Sequence, residues 1–369
     1  MDDIVVAAAV LHAIRRRKRR LKVAIALRLR DSLRRDYNIH SSSLLPSVVD
    51  CPWYILYANG SDDDFLNTVS LTRGSFDVLL REFAKHYEVS SGPGLPGRPR
   101  RVRDIHCVLA ILLHSYCSPA DRKTWSEFFG VHKSTLSRLL NQAEEAILIC
   151  LNNLHEARIQ WPSLQDQRRM AILVNNREPL LHGRWGFIDG KNYRVEKSGN
   201  SDIQNSTYNG WLHACLSTNT LCFDADGVIV WANLNWFGSF NDGETSRTFR
   251  NKICDPRKNL EGYGVLSDTA FPVSKEMYTK IITPLKEGEL ERAPIETRVG
   301  LQTMSNAITA MRQAAEWGMD AVSKPYRILD KKLSRNAKRR GRFLRVVHML
   351  YNYRVRTTGI SQIRTFFHV

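Results

Sequence analysis

The sequence predicts an α/β domain over residues 180–329, set between a helical N-terminal part and a basic helical tail. Three observations predict it. From Trp185 the apolar period shortens to strand-like runs, Trp185–Val195, Trp211–Phe223, Val228–Trp236 and Tyr263–Leu266. Helical patterns at Glu244–Ile253, 273–286 and 301–320 are interleaved with these runs or follow them. Upstream of this region, the apolar residues recur at helical spacing.

Residues 1–45 read as a basic helical segment, with Val10, Leu11, Ile14, Leu21, Ile25, Leu29 and Leu33 spaced along a helix. Between Arg15 and Arg35 there are eleven Lys/Arg and one acid, Asp31. A basic amphipathic helix serves as a nuclear address, as a phosphate-binding surface, as a membrane-surface helix, or simply as a solvated face. Residues 46–103 read as a loop around Pro46, Pro52, Gly60 and Ser61-Asp62-Asp63-Asp64, then a short helix whose apolar face is Val78, Leu79, Leu80 and Phe83. Ser90–Arg103 follows as a Gly/Pro-rich linker.

Residues 104–150 form a small three-helix unit, predicted as Asp104–Tyr116, Thr124–Phe129 and Lys133–Ile147. Its last two helices suggest a helix-turn-helix. Trp125, Phe128 and Phe129 give the first an apolar face, and Gly130 stands where a tight turn needs positive φ. Leu136, Leu139 and Leu140 face inward from the second. Lys133, Ser134, Thr135 and Arg138 face outward near its N-terminus, where a recognition helix meets DNA. An ordinary pair of packed helices has the same pattern. Residues 155–184 read as polar and irregular. In the tail, residues 330–369, eight Lys/Arg and no acid lie between Lys331 and Arg345, with Arg339 and Arg340 offered to a nucleic-acid backbone. The apolar stretch Val346–Tyr353 then reads as a packing helix.

Composition bounds the function. The 369-residue chain carries 54 Lys+Arg against 37 Asp+Glu, a net charge of +17, which points to a polyanion partner. With 43% hydrophobic and 25% charged residues it is not a disordered chain. No apolar run approaches the ~18–20 residues a membrane-spanning helix needs. Nucleic acid ranks ahead of an acidic membrane surface as the polyanion, and no membrane partner is expected. Seven cysteines without a CxxC pair read as reduced thiols rather than a disulfide framework or zinc knuckle.

The chemistry is carried by acids. Asp189 interrupts the apolar run Trp185–Ile188, and Asp268 closes the run Val265–Ser267, at the end of a strand where α/β sheets place their sites. Glu316 lies on the helical stretch Asn306–Met319. Each has an ordinary reading: a turn at Asp189-Gly190, a cap or loop at Asp268-Thr269, and an i,i+4 pair between Arg312 and Glu316. Together they suit hard divalent cations such as Mg²⁺, and a pair of ions about 3.5–4 Å apart serves phosphodiester cleavage.

The runs GFIDGKNYRVEKSG, DADGVIVWANLNWFGSFNDGETSR, GVLSDTAFP and NAITAMRQAAEWGMDAVSKPYRIL, in this order, resemble the DDE transposases of the PIF/Harbinger type. The resemblance spans roughly residues 180–329 and implies an RNase H-like nuclease domain, and a nuclear enzyme that cuts and joins DNA with two Mg²⁺ or Mn²⁺ ions. It puts Asp189, Asp268 and Glu316 at the catalytic, metal-holding positions. Asp242, in Gly238-Ser239-x-x-Asp242, is second-tier, a helix N-cap rather than a ligand. Phe271 departs from the usual Tyr after the second Asp. Implied partners are double-stranded DNA, a Myb-like DNA-binding protein and further copies of the chain. The alternative is a transposase-derived nuclear DNA-binding protein without catalysis.

Overall fold

The computed structural model describes His12 and residues 14–25, 47–88, 100–271 and 277–368. Most of the basic segment 1–45 and most of the expected linker Ser90–Arg103 lie outside the described residues; residues 14–25 are helical and exposed.

The first helices are short and built by their caps. Pro52 opens α1 (Pro52–Asn59), where a missing N–H costs nothing. A capping box between Ser61 and Asp64 opens α2 (Asp62–Val69). These two helices replace the loop expected over residues 46–66. α3 (Arg73–His86) buries Phe76, Leu79 and Phe83. α4 (Ile105–Cys117) is apolar almost all round and forms the centre of the helical part. α5 (Arg122–Phe129) ends at Gly130, whose φ of 60° makes the turn, and α6 (Lys133–Asn153) follows. α7 (Leu164–Arg177) occupies a stretch expected to be irregular. Ser163 caps it, and Gln167, Met170, Ala171 and Val174 form a narrow buried stripe at helical spacing.

The sheet has β1 (Arg184–Arg194) near its centre. β3 (Ala214–Asp224) pairs antiparallel with one edge of β1, and β5 (Gly264–Ser267) pairs parallel with the other. β4 (Ile229–Phe237) extends the antiparallel side, next to β3, as does the two-residue β2 (Tyr208–Asn209), reached through the short helix α8 (Ser201–Thr207). The helix expected over Glu244–Ile253 is two pieces, α9 (Asp242–Thr245) and α10 (Arg247–Cys254), parted where the Ser246 hydroxyl donates to the Asp242 carbonyl at 2.5 Å. The helix expected over 273–286 is not formed in its described part. Ile281 and Ile282 instead make β6 (Ile281–Ile282), parallel to β5, because two β-branched residues there cover the edge of the sheet.

After the short α11 (Glu289–Arg292) comes α12 (Ile295–Ser323). It packs on the sheet through small and apolar residues, among them Ala314, Ala315, Gly318 and Met319. A Cβ at Gly318 would stand 2.9 Å from the Phe223 ring, so only glycine lets the helix come this close. α13 (Ala337–Thr358) begins in the basic block and continues into the apolar run Val346–Tyr353, which is buried. It packs against α3, α6 and β4, and a single continuous core joins Val48 to Phe367. α14 (Gln362–Phe367) closes on α12 through an edge-to-face pair of Phe366 with Trp317, 5.1 Å between centroids. Among the described residues no helix is long and apolar enough to cross a membrane.

Candidate active site

Strand register brings the first two acids together. Ile188 of β1 pairs with Ser267 of β5 in the parallel ladder, so Asp189 and Asp268 are the next residues on adjacent, like-directed strands. Each is half-buried and each has one oxygen held. The Gly190 N–H donates to Asp189 Oδ1 at 2.7 Å, and the Thr269 N–H donates to Asp268 Oδ1 at 2.5 Å. The Thr269 hydroxyl is also 3.3 Å from Asp268 Oδ1. Both carboxylates are thus fixed by their own backbone turns.

Asp242 is the third acid of this cluster. The N-cap of α9 is Asn241, whose side chain accepts from the Glu244 N–H at 2.9 Å, so Asp242 is the first helical residue and not the cap it was expected to be. Its carboxylate lies over Gly190: a Cβ at Gly190 would stand 2.9 Å from Asp242 Oδ1. Burial, more than any single charge, pushes the Asp189 carboxyl up from its usual 3.8 to about 6, and the charges of Asp268 and Asp242 push the same way. Burial and the Asp268 charge raise Asp242 as well. Three carboxylates therefore repel one another in a partly desolvated place.

Glu316 is placed differently. It lies on α12 with its side chain 56% exposed, and it makes the i,i+4 pair with Arg312 at 3.4 Å that its spacing allows. Arg312, half-buried, links the two sets: its charge holds the Asp189 carboxyl down while its guanidinium faces Glu316. Sequence reasoning noted Arg312 only as a partner of Glu316. The signal that places it at the site is its position one helical turn before Glu316, on the same face of α12. Among the described residues, no group of three or more His, Cys, Asp or Glu side chains is close enough to hold a metal ion. The donor chemistry nevertheless fits a hard divalent cation. The converging groups are carboxylates, without thiolate or imidazole, and their mutual repulsion is what such a cation relieves.

The expected DNA-contacting residues divide. Lys133, Ser134 and Arg138 are exposed on the first turns of α6 and Thr135 is half-buried beside them. His132 caps this helix, its Nδ1 accepting from the Ser134 N–H at 3.3 Å. Leu136 and Leu139 are buried on the opposite face. Arg339 is exposed. Arg340 is not available to a phosphate: it is 2% exposed, and its guanidinium donates to Asn235 Oδ1 at 2.6 Å and to the Ser334 carbonyl at 2.9 Å. Arg340 therefore ties α13 to β4 and to the segment before it, which corrects the expectation that it grips DNA.

No curated protein and no solved structure matches the chain. Residues 188–352 match the family model described as DDE superfamily endonuclease. The match begins one residue before Asp189, takes in Asp242, Asp268 and Glu316, and runs past residue 329 into α13. The part of the chain that carries the acidic cluster is thus similar to a DDE superfamily endonuclease, a transposase-like nuclease domain.

Proposed function

We propose that the chain is a metal-dependent DNA endonuclease of the PIF/Harbinger transposase type, with an RNase H-like domain that cleaves and joins phosphodiesters. The observation that carries this reading is the side-by-side placement of Asp189 and Asp268 at the ends of paired parallel strand segments, within the region that matches the endonuclease family. Asp189, Asp268 and Glu316 hold the divalent cations, two Mg²⁺ or Mn²⁺, and Asp242 supports the same cluster. When bound, such cations supply positive charge to the phosphate and lower the pKa of the attacking water.

The chain's own residues prepare the place. The Gly190 and Thr269 N–H groups each hold one carboxylate oxygen and fix the orientation of the other. Arg312 restrains Glu316 from one turn away. The mutual repulsion among Asp189, Asp242 and Asp268 favours the entry of positive charge. DNA is held elsewhere, by Lys133, Ser134, Thr135 and Arg138 on a helix-turn-helix and by Arg339, so that the acidic centre need not attract phosphate itself. This reading extends to a nuclear protein that acts on double-stranded DNA as a homo-oligomer, with a Myb-like partner.

A second reading, DNA binding without catalysis, draws on the exposure of Glu316 and on its pairing with Arg312 rather than with the two aspartates. One experiment separates them. Duplex DNA is incubated with wild type and Asp268→Asn in Mg²⁺ or Mn²⁺, with binding measured in parallel. Loss of cleavage with retained binding supports the nuclease; undiminished cleavage by the variant rejects the site, and no cleavage by wild type supports the second reading.

A further inference from the structure

A second charged feature lies away from the aspartates. Where the α4–α6 unit meets α13 there is an open cleft of about 390 Å³. Its lining includes four cationic residues with donors to spare, Arg122, Lys331, Lys332 and Arg339, from three separate stretches of chain, while Arg340 beside them is committed to Asn235 and Ser334. The segment Ile328–Ser334 forms one wall, α5 and the turn before it another, and the first turns of α13 a third.

The acids on the same walls are occupied or peripheral. Glu144 accepts from the Tyr116 hydroxyl at 3.2 Å and from Arg342 Nε at 2.9 Å. Asp121 accepts from the Thr124 N–H at 2.9 Å as the cap of α5. Glu196 is exposed. The cations are less committed. Arg122 donates one Nη1 bond to Ser137 Oγ at 2.9 Å, and Lys331 donates to the Ala120 carbonyl at 3.1 Å, leaving further N–H groups on each. Lys332 and Arg339 are exposed. Burial first, and then the like charge of Arg339, disfavour the Arg122 cation, and an anion in the cleft would offset both. Trp125 also lines the cleft, is 6% exposed, and its indole N–H meets no acceptor among the described residues. An indole nitrogen only donates, and buried donors in native proteins nearly always have a partner.

We propose that this cleft is an oxyanion site that takes a phosphate group, separate from the acidic cluster and not dependent on its chemistry. Cations drawn from α5, the 331–332 segment and α13 surround it, and planar guanidinium groups and lysine ammonium groups are the donors that phosphate oxygens accept. The phosphate belongs either to a DNA backbone or to a free phosphorylated compound. Bound there, it would bridge the helical unit and α13 across the seam that Lys331 already spans.

The test is a calorimetric titration of the full chain with sodium pyrophosphate at low ionic strength. The expected result is saturable binding, weakened about tenfold or more in a Lys332→Gln/Arg339→Gln variant, since charge-assisted bonds are the strong ones. Both residues are exposed, so the variant should melt with wild type. An Arg257→Gln/Lys258→Gln variant removes the same charge from a site where both cations pair with Asp255, and should bind as wild type. Displacement of pyrophosphate by a duplex assigns the phosphate to DNA, and simultaneous binding assigns it to a free compound; either supports the site. No saturable binding, or equal weakening in both variants, overturns it.

Discussion

Replacing Asp189 by Asn should make the protein more stable while removing the proposed cutting activity. The amide keeps an Oδ1 to accept from the Gly190 N–H, so the local turn survives. What disappears is a half-buried charge facing Asp268 and Asp242. A carboxyl moved from 3.8 to about 6 favours its neutral form in the folded state. Its contribution to stability is therefore complete below pH 3.8 and is lost as pH rises through about 6. By neutral pH the loss is about 3 kcal/mol, at 1.36 kcal/mol for each tenfold change in proton affinity. Thermal melts of wild type and Asp189→Asn without divalent cation should then diverge as pH rises from 4 to 7.5. The variant should gain about 3 kcal/mol at pH 7.5 and only about 0.5 kcal/mol at pH 4. Asp224, also pushed up by burial, to about 7, is common to both proteins and cancels in the comparison. A variant that is equally stable or less stable at pH 7.5 would refute the claim that burial, aided by Asp268 and Asp242, disfavours the Asp189 charge.

Further outcomes follow from the same geometry. Arg340→Met should cost about 2–4 kcal/mol in urea unfolding, because Asn235 Oδ1 and the Ser334 carbonyl lose a buried donor. Arg339→Ala should leave stability within about 0.5 kcal/mol and lower the salt dependence of DNA binding by about one charge. Equal stability losses in the two would contradict the division between a tie and a contact residue. Gly190→Ala should displace Asp242, since its Cβ would stand 2.9 Å from Oδ1, and should move the pH dependence of the Asp189→Asn stability gain to lower pH. A carbon-13 NMR titration of the aspartate carboxyl carbons would read that shift directly, and an unchanged titration would place Asp242 outside the cluster.

The sheet was legible because its strands are long apolar runs, and Asp189 stood out as a carboxylate within one of them. Each acid's place at an apolar run leads to the expectation that Asp189 and Asp268 stand together. The adjacency itself comes from the parallel β1–β5 register, which pairs segments far apart in the chain and is not written in either run. What was hidden is physical in kind. α1, α2 and α7 open on Pro52, the Ser61–Asp64 box and the Ser163 cap. α1 is apolar on every side and so shows no helical period, α2 is only eight residues long and begins with three aspartates, and the narrow stripe of α7 is interleaved with polar residues. β6 is two residues whose strand character comes from the neighbouring β5 edge. Arg340 reads like its neighbours in a basic run, and only the approach of Asn235 from β4 distinguishes it. Asp242 acquires its position from the chain turn that lays α9 over Gly190, a contact between residues far apart in sequence.

Calorimetric titration of the protein with Mn²⁺ at pH 7.5 tests the central claim most directly. A saturable site in wild type, lost in Asp189→Asn and in Asp268→Asn and weakened in Glu316→Gln, is the predicted result. Binding in both aspartate variants equal to wild type, or no saturable site in wild type, would contradict it.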